Sequence, residues 1–525
     1  MHAAARFRCV FRWHNDVPKT PREYNPLKHS QSRTIRLPDV LHSMSPVEAP
    51  EEASRLRPLC VDLDGTLVKS DTLVDSLLVL ARNRPMDLLR FPLWLAHGKA
   101  AFKAAVTERV ELDVAHLPLN RPLVEYLRAE RASGRKLYLA TGADGALARR
   151  VAAHVGIFDE VLSSDGKTNL TGQNKLDAFS QRFDGSFDYI GNAVTDLPLL
   201  RAANSPMVAN PSSALRTRLR AAGIRPVHSF IDHRPFVFTF IKAIRVHQWA
   251  KNTLIFLPLL LAHAVHNPGL WLSAFLAFGA FSLAASSAYI VNDLLDLEAD
   301  RRHHRKSRRP FAAADLSPAA GLIIAAAFLS IAGLIATRLP PEFAFWLCVY
   351  YGTTLAYSLV LKRVVLMDVL VLSGLYTLRI LAGAAATKIP ISPWLAAFSV
   401  FFFLSLAMAK RFAELTNLRA QDKAPANGRG YILADIEQLR SFGTSAAYGA
   451  VIIFILYLSN PTVSALYHYP QRMWMIAPLL IWWTSRVWLL ASRGELDEDP
   501  LVFALTDRVS LGIGVLTFLV ALFAV

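Results

Sequence analysis

Cysteine is scarce in this chain: Cys9, Cys60 and Cys348 are its three in 525 residues, and none stands in a CxxC or other ligand spacing. That excludes a disulfide framework and a thiolate zinc site, and it suits a reducing compartment for the soluble part. Long apolar runs are absent from roughly the first 230 residues, so no helix there can cross a hydrocarbon core, which takes about 20 apolar residues. Acidic residues are the minority, 41 against 57 Lys and Arg, for a formal net charge of +16. Nucleic-acid binders share that balance, but here the basic residues cluster in short segments between apolar runs, the distribution that orients a membrane protein. A membrane is therefore an expected partner, and nucleic acid is not. The chain is 53% hydrophobic, and apolar runs of about 20 residues recur through its second half, each able to span a bilayer.

A chain of 525 residues has room for two or three domains. Residues 1–55 mix Arg, His, Pro and Ser with little periodicity and read as a disordered arm, with Met44 as an alternative start. The opening MHAAARFRCVFRW is basic and partly apolar, like an organellar targeting peptide, but its apolar run is too short for a secretory signal. From 56 to 230, the apolar runs PLCVDLD, KLYLAT, DEVLSS, FDYIGN and PMVAN each end in a polar or glycine turn and alternate with helical patterns. This predicts a Rossmann-like α/β domain, a parallel sheet with helices on both faces. An insertion over 72–117 has helical periodicity and predicts a cap. Its segment FPLWLAHGKAAFKAAV sets bulky apolar groups beside lysines, which also suits a membrane surface.

Residues 236–525 predict an all-α polytopic bundle of nine spans, near 250–265, 270–292, 317–337, 342–361, 365–386, 393–409, 441–459, 473–491 and 509–525. With a cytoplasmic N-terminal domain, the loops holding Arg301–Arg309, Lys362–Arg363, Lys410–Arg429 and Arg486–Arg508 fall on the cytoplasmic side, and the opposite loops hold only Arg338, Lys388 and Arg472. The positive-inside rule requires this asymmetry.

Where the second span ends, Asn292, Asp293, Asp296 and Asp300 run into the basic stretch Arg301–Pro310. On a helix, Asn292, Asp296 and Asp300 stand four apart on one face with Asp293 adjoining. Carboxylates grouped at a membrane boundary repel unless a cation lies between them, and hard oxygen ligands select Mg²⁺ completed by substrate phosphates. These residues resemble the aspartate-rich NDxxDxxxD signature of the UbiA superfamily, helical bundles with a magnesium-diphosphate site. The resemblance carries a metal role onto Asn292, Asp293, Asp296 and Asp300, and phosphate binding onto Lys306 and Arg309. Further segments are similar to the branch of decaprenyl-phosphate phosphoribosyltransferases: Arg245 to Asn252 with Lys251, Tyr357 to Lys362, Asp368, Arg379 with Gly383, Lys410-Arg411 with Glu414, and Glu495 with Asp499. They imply substrate contacts at Lys251, Tyr357, Lys362, Arg379, Lys410 and Arg411 and a further metal ligand at Asp368. Quinone-forming relatives usually carry a second DxxxD motif; Lys362 and the single Asp368 stand here instead and favour a more anionic substrate. The family's His-Pro after the acidic motif reads His303-His304, and Arg245-Val-His247 replaces a common Arg-Pro.

In the soluble half, Asp62 and Asp64 flank Leu63 at the end of the first predicted strand, before the Gly65 turn. The pair offers a carboxylate nucleophile beside a general acid. Val61 to Leu67 resembles the first motif of the haloacid dehalogenase superfamily. The later motifs imply that Thr141 binds phosphate and that Lys175, rather than Lys167, screens the phosphoryl group. Asp196 is retained as a metal ligand, but Asn192 stands where an aspartate is usual and leaves the site one negative charge short.

Together the resemblances imply a bifunctional bacterial inner-membrane enzyme with both sites facing the cytoplasm. The membrane half would transfer 5-phosphoribosyl from phosphoribosyl pyrophosphate to a polyprenyl phosphate. The soluble half would remove the 5-phosphate to give polyprenyl-phosphoryl ribose for envelope synthesis. Two alternatives are an aromatic prenyltransferase of quinone synthesis and a transferase carrying a non-catalytic regulatory domain. A homo-oligomer is compatible with the sequence.

Overall fold

The computed structural model describes residues 57–524 apart from 166–167, 421–429, 462–466 and 497–499. The expectations for the 1–55 arm and Met44, for Lys167, for Asp499 and for the loop over 421–429 therefore lie outside the described residues.

The soluble half is one parallel sheet. Strands β1 (Leu59–Val61), β2 (Leu137–Asp144), β3 (Glu160–Ser164), β4 (Asp188–Gly191), β5 (Pro206–Ala209) and β6 (Ser229–Phe230) lie in the order β3-β2-β1-β4-β5-β6. The five expected runs supply β1 to β5, while β6, two residues long, is too short to carry a pattern. β1 pairs with β2 and β4, Leu59 opposite both Leu137 and Asp188. It is covered on both faces, which is why it reads as an unbroken apolar run. The strand order reverses at β1, so its carboxyl end opens on the crevice where ligands of such sheets bind. Between β1 and β2 the insertion is helical as expected: α1 (Thr72–Asn83), a 3₁₀ turn (Pro85–Arg90), α2 (Phe91–Ala96) and α3 (Lys99–Arg109). Asp71 caps α1 by accepting from the Leu73 and Val74 amides, and Phe91, Trp94 and Phe102 pack together behind it.

The membrane half begins with α4 (Phe236–Ala243) and a 3₁₀ run (Val246–Phe256), continuing into the short helix Leu257–Leu261. Then come α5 (Pro268–Leu295), α6 (Leu297–Arg302), α7 (Pro318–Ala336), α8 (Pro341–Leu359), α9 (Met367–Thr387), α10 (Pro393–Ala420), α11 (Ile436–Leu458), α12 (Ile476–Ser492) and α13 (Arg508–Ala524). Among the described residues six helices, not nine, are long and apolar enough to cross a membrane. The expected 250–265 span is broken into 3₁₀ turns. The 342–361 span is diluted by Tyr350, Tyr351, Thr353, Thr354, Tyr357 and Ser358, and α13 has 17 residues. The buried face of α5 is lined by Ala and Ser, small groups that let neighbours approach. Its serines take bonds from Trp249 and Asn252 and donate to Ala325 O. Where α9 meets the broken segment, a Cβ on Gly383 would stand 2.1 Å from Ile255 O.

The two halves share a core. Leu78 of α1 packs with Ile290, Leu294, Leu297 and Phe311. Asp75 takes a two-pronged bond from Arg301 at 2.8 and 3.2 Å, both residues buried.

Candidate active sites

Beside the end of α5, a cavity of about 370 Å³ opens among α5, α8, α9 and α10. All eight substrate-contact residues expected in the membrane half line it: Lys251, Lys306, Arg309, Tyr357, Lys362, Arg379, Lys410 and Arg411. Asn292 and Asp296 face the same space. Burial would raise the Asp296 carboxyl, but Lys362 and Arg82 outweigh it and hold the group below the usual carboxylate range.

The acidic residues do not share one face. The helix breaks at Asp296, where α5 ends and α6 begins with φ −92° and ψ 9°, and the four residues divide into two pairs. Lys362 Nζ donates to Asp296 at 2.9 and 3.2 Å and to Asn292 Oδ1 at 3.4 Å. Behind them Arg309 joins Asp300 at 2.6 Å to Asp293 at 3.2 Å, with Arg245 also on Asp293. Asp368 stands apart from both pairs: Arg411 takes both its oxygens and Tyr357 donates to one at 2.6 Å. No group of three or more His, Cys, Asp or Glu able to hold a metal occurs among the described residues. The hard oxygens of Asn292 and Asp296 nevertheless converge on the Lys362 ammonium, and that donor set fits a divalent cation completed by water and phosphate.

Deeper in the bundle, Arg379 donates to Asn252 Oδ1 at 2.9 Å and to Tyr350 Oη at 3.2 Å. Its guanidinium lies over the Tyr350 and Tyr376 rings at 4.9 and 5.5 Å. This fixes a cation in the cavity wall with no acidic partner among the described residues.

In the soluble half a second cavity, about 570 Å³, is lined by Asp62, Asp64, Lys175, Asn192 and Asp196. Asp62 follows directly on β1 and receives Lys175 Nζ at 2.8 Å. Burial pushes Asp62 up to about 6 against the pull of Lys175. Burial, with Asp71 nearby, lifts Asp64 to about 7, a state suited to donating a proton. The Thr72 amide donates to Asp64 at 2.7 Å. Asp196 is fully engaged, taking the Asn192 and Ala193 amides at 3.0 Å each and the Tyr189 hydroxyl at 3.0 Å, so it holds the Asn192 loop in place. Gly65, at φ 74°, lets that loop close: a Cβ there would stand 1.9 Å from Asn192 Nδ2. Thr141 is buried and accepts from the Ala143 amide at 3.0 Å, and its neighbour Gly142 reaches the cavity.

Several site residues were not foreseen. Lys103 of α3 bonds Gly142 O at 2.6 Å and Asn169 Oδ1 at 3.0 Å, and burial lowers its pKa. Ala314, Asp315, Ser317, Pro318 and Ala319, all from the membrane half, complete the wall of the soluble cavity. Arg82 of α1 reaches Asp296 and donates to Leu295 O at 2.8 Å. No local pattern announces any of them, because each acts on a site built by distant sequence.

Residues 253–507 match the model of the UbiA prenyltransferase family, and residues 59–201 that of haloacid dehalogenase-like hydrolases. The chain is 38% identical over 465 residues to the uncharacterized protein y4nM of Sinorhizobium fredii, covering 88% of this chain and 90% of that one. It is 35% identical to nodulation protein NoeC of Azorhizobium caulinodans, covering 53% and 90%. It is 38% identical over 181 residues to decaprenyl-phosphate phosphoribosyltransferase of Mycobacterium tuberculosis, covering 33% of this chain and 59% of that protein. A UbiA homolog from Archaeoglobus fulgidus, solved with DMAPP and Mg²⁺, superposes with a TM-score of 0.42 at 15% identity, over 55% of this chain and 97% of that one.

Proposed function

Because the chain belongs to the UbiA prenyltransferase family and carries a haloacid dehalogenase-like hydrolase domain ahead of its membrane part, we propose that it makes and then dephosphorylates a phosphoribosyl lipid. In this reading the membrane half joins 5-phosphoribosyl from phosphoribosyl pyrophosphate to a polyprenyl phosphate, and the soluble half hydrolyses the 5-phosphate. The observation that carries it is the basic lining of the membrane cavity, where Arg245, Lys251, Lys306, Arg309, Lys362, Arg379, Lys410 and Arg411 gather in one space, with Asp293, Asp296, Asp300, Asp368 and Glu414 paired to some of them. A cavity lined by eight cations suits two phosphorylated substrates held together.

Asn292 and Asp296 would hold Mg²⁺, which when bound supplies charge neutralisation to a leaving pyrophosphate. Lys306 and Arg309 hold that pyrophosphate. Arg379 and Lys410 hold the lipid phosphate, whose oxygen bonds the anomeric carbon as the carbon–pyrophosphate bond breaks. The nucleophile is already anionic, so no protein base is required, and fixed cations stabilise the charge as it moves. In the soluble cavity the Asp62 carboxylate attacks the 5-phosphate, Asp64 protonates the departing ribose oxygen, and water then cleaves the aspartyl-phosphate. Lys175 steadies the phosphoryl charge. Asp62, Asp64 and Asn192 would hold Mg²⁺ there with one carboxylate fewer than usual.

The test is purified protein in liposomes with radiolabelled phosphoribosyl pyrophosphate and polyprenyl phosphates, followed by mass analysis of the lipid. A ribosyl-phosphoryl lipid is expected. Transfer of a prenyl chain to an aromatic acceptor, with no ribosyl lipid, would replace this reading with a quinone-type prenyltransferase.

A further inference from the structure

The cap carries an apolar surface that no described residue of the soluble half covers. Over Pro85–Ala96 the chain is helical throughout, and its inward side chains Phe91 and Trp94 pack against the core. Met86, Leu89, Leu93 and Leu95 point outward with 73%, 74%, 65% and 52% of their surface exposed. Met86, Leu89 and Leu93 are spaced three and four residues apart, so they share one face. Arg84 and Lys99, both exposed, flank it. A soluble domain rarely leaves such a contiguous face in water.

The attachment of the cap says what covers this face. Arg82 bonds Leu295 O at 2.8 Å, and Leu295 is the last residue of the membrane-spanning helix α5. Leu78 is packed with Ile290 and Leu294 of that helix, and Asp75 is fixed to Arg301 just beyond it. Met86 follows Arg82 by four residues, so its Cα lies within about 14 Å of the Cα of Arg82, whose side chain reaches the end of α5. Beside the same end of α5, α4 exposes Phe236, Val237, Phe238 and Ile241, while Ile244 O accepts from Ser286 at 2.7 Å and Arg245 pairs with Asp293.

We propose that the Pro85–Ala96 segment is a membrane-surface element. Its apolar face enters the boundary between headgroups and acyl chains of the bilayer that holds the chain's own spans, and Arg84 and Lys99 meet anionic headgroups. A helix with one apolar face and flanking basic residues takes this position. The contact holds the soluble cavity close to the bilayer plane and clamps the cap from two sides, by lipid and by α5.

The test uses the full chain in liposomes of phosphatidylethanolamine and phosphatidylglycerol, in a Cys9→Ser, Cys348→Ser background that keeps only the fully buried Cys60. Leu89→Cys and Leu93→Cys, introduced one at a time, carry an environment-sensitive fluorophore. Gln181→Cys, exposed at the far end of the helix that begins near Lys175, is the control. Positions 89 and 93 are expected to show blue-shifted emission and loss of emission with bromine-labelled lipids, and Gln181→Cys neither. Emission at 89 and 93 that is quenched by aqueous iodide as strongly as at 181 overturns the proposal. So does protection from iodide without quenching by the brominated lipids, which would make the cover a protein surface.

Discussion

An ammonium group held by Asn292 and Asp296 marks the point in the membrane cavity where a cation is wanted, and the first predictions rest on that point. Asp296→Asn removes the negative charge there and is expected to lower lipid-product formation by about 100-fold or more, as loss of one fixed transition-state contact does, with phosphate release from a soluble test ester unchanged. Asp300→Asn acts indirectly, by freeing Arg309 from its 2.6 Å bond, so its loss should be smaller and should appear mainly in KM for the pyrophosphate substrate. Equal, near-normal rates for both variants would remove the metal and phosphate roles assigned here. In the soluble site, Asn192→Asp restores a carboxylate and should lower several-fold the magnesium concentration that half-saturates phosphate release. Residues at this scale were legible where motif and order carry them: Asp62, Asp64 and Lys175 meet in one cavity, and so do the eight membrane-cavity residues. Lys103, Arg82 and Asp315 were not, since each is an ordinary surface-like charge in sequence and acquires its role only by long-range packing. Asp368 carries its metal role from the resemblance alone; its pairing with Arg411, 43 residues away, has no signal in the local sequence.

At the scale of elements, apolar runs reveal that helices exist but not where they break. The run at 250–265 looks like a span by composition, yet it is 3₁₀ as far as Phe256 and then only the short helix Leu257–Leu261, and it lies against α9 so closely that Gly383 has no room for a side chain. Gly383→Val should therefore separate the two segments. It is expected to cost about 1–3 kcal/mol through overpacking, seen as a lower melting midpoint of the detergent-solubilised protein, with transfer reduced because Lys251 and Arg379 sit on the two displaced segments. An unchanged midpoint would mean that the approach is looser than the structure has it. The break at Asp296 escaped notice for a related reason: a four-residue repeat implies one face only while the helix continues, and nothing local in Leu294–Leu297 announces a stop. By contrast, the α/β alternation was readable in full apart from β6, because fully covered parallel strands leave unbroken apolar runs.

For the whole molecule, the consequential feature is that each half lends residues to the site of the other. The soluble cavity borrows residues 314–319 as a wall, and α1 ties the Asp64 amide contact at its start to the Asp296 contact at its end. Charge gives an expectation for the side on which this sits: Lys306, Arg309, Lys362, Lys410 and Arg411 line the same cavity as Asp296, and the positive-inside rule puts such a basic end in the cytoplasm. The nine spans expected from the sequence would place tags before Met1 and between Gln421 and Arg429 on the cytoplasmic side and a tag after Val525 on the opposite side, whereas crossing by the six long apolar helices alone would leave both ends on one side, so the tags test the odd count. The junction is held by the buried Asp75–Arg301 pair, so Asp75→Leu, leaving Arg301 unpaired, should cost about 3–5 kcal/mol and weaken both activities together. The Asp62 nucleophile is best tested in the full chain for the same reason. Asp62→Asn keeps size and packing but leaves an amide too weak to form the aspartyl-phosphate. The membrane cavity does not include Asp62, so the variant should still consume phosphoribosyl pyrophosphate. Its lipid product should then retain the 5-phosphate, whereas the native chain, supplied with enough magnesium to offset Asn192, should accumulate the dephosphorylated ribosyl lipid. Mass analysis separates the two products by one phosphate. If both proteins yield the phosphorylated lipid at saturating magnesium, the soluble half is a binding or regulatory domain, and the wall that residues 314–319 lend it serves recognition without turnover.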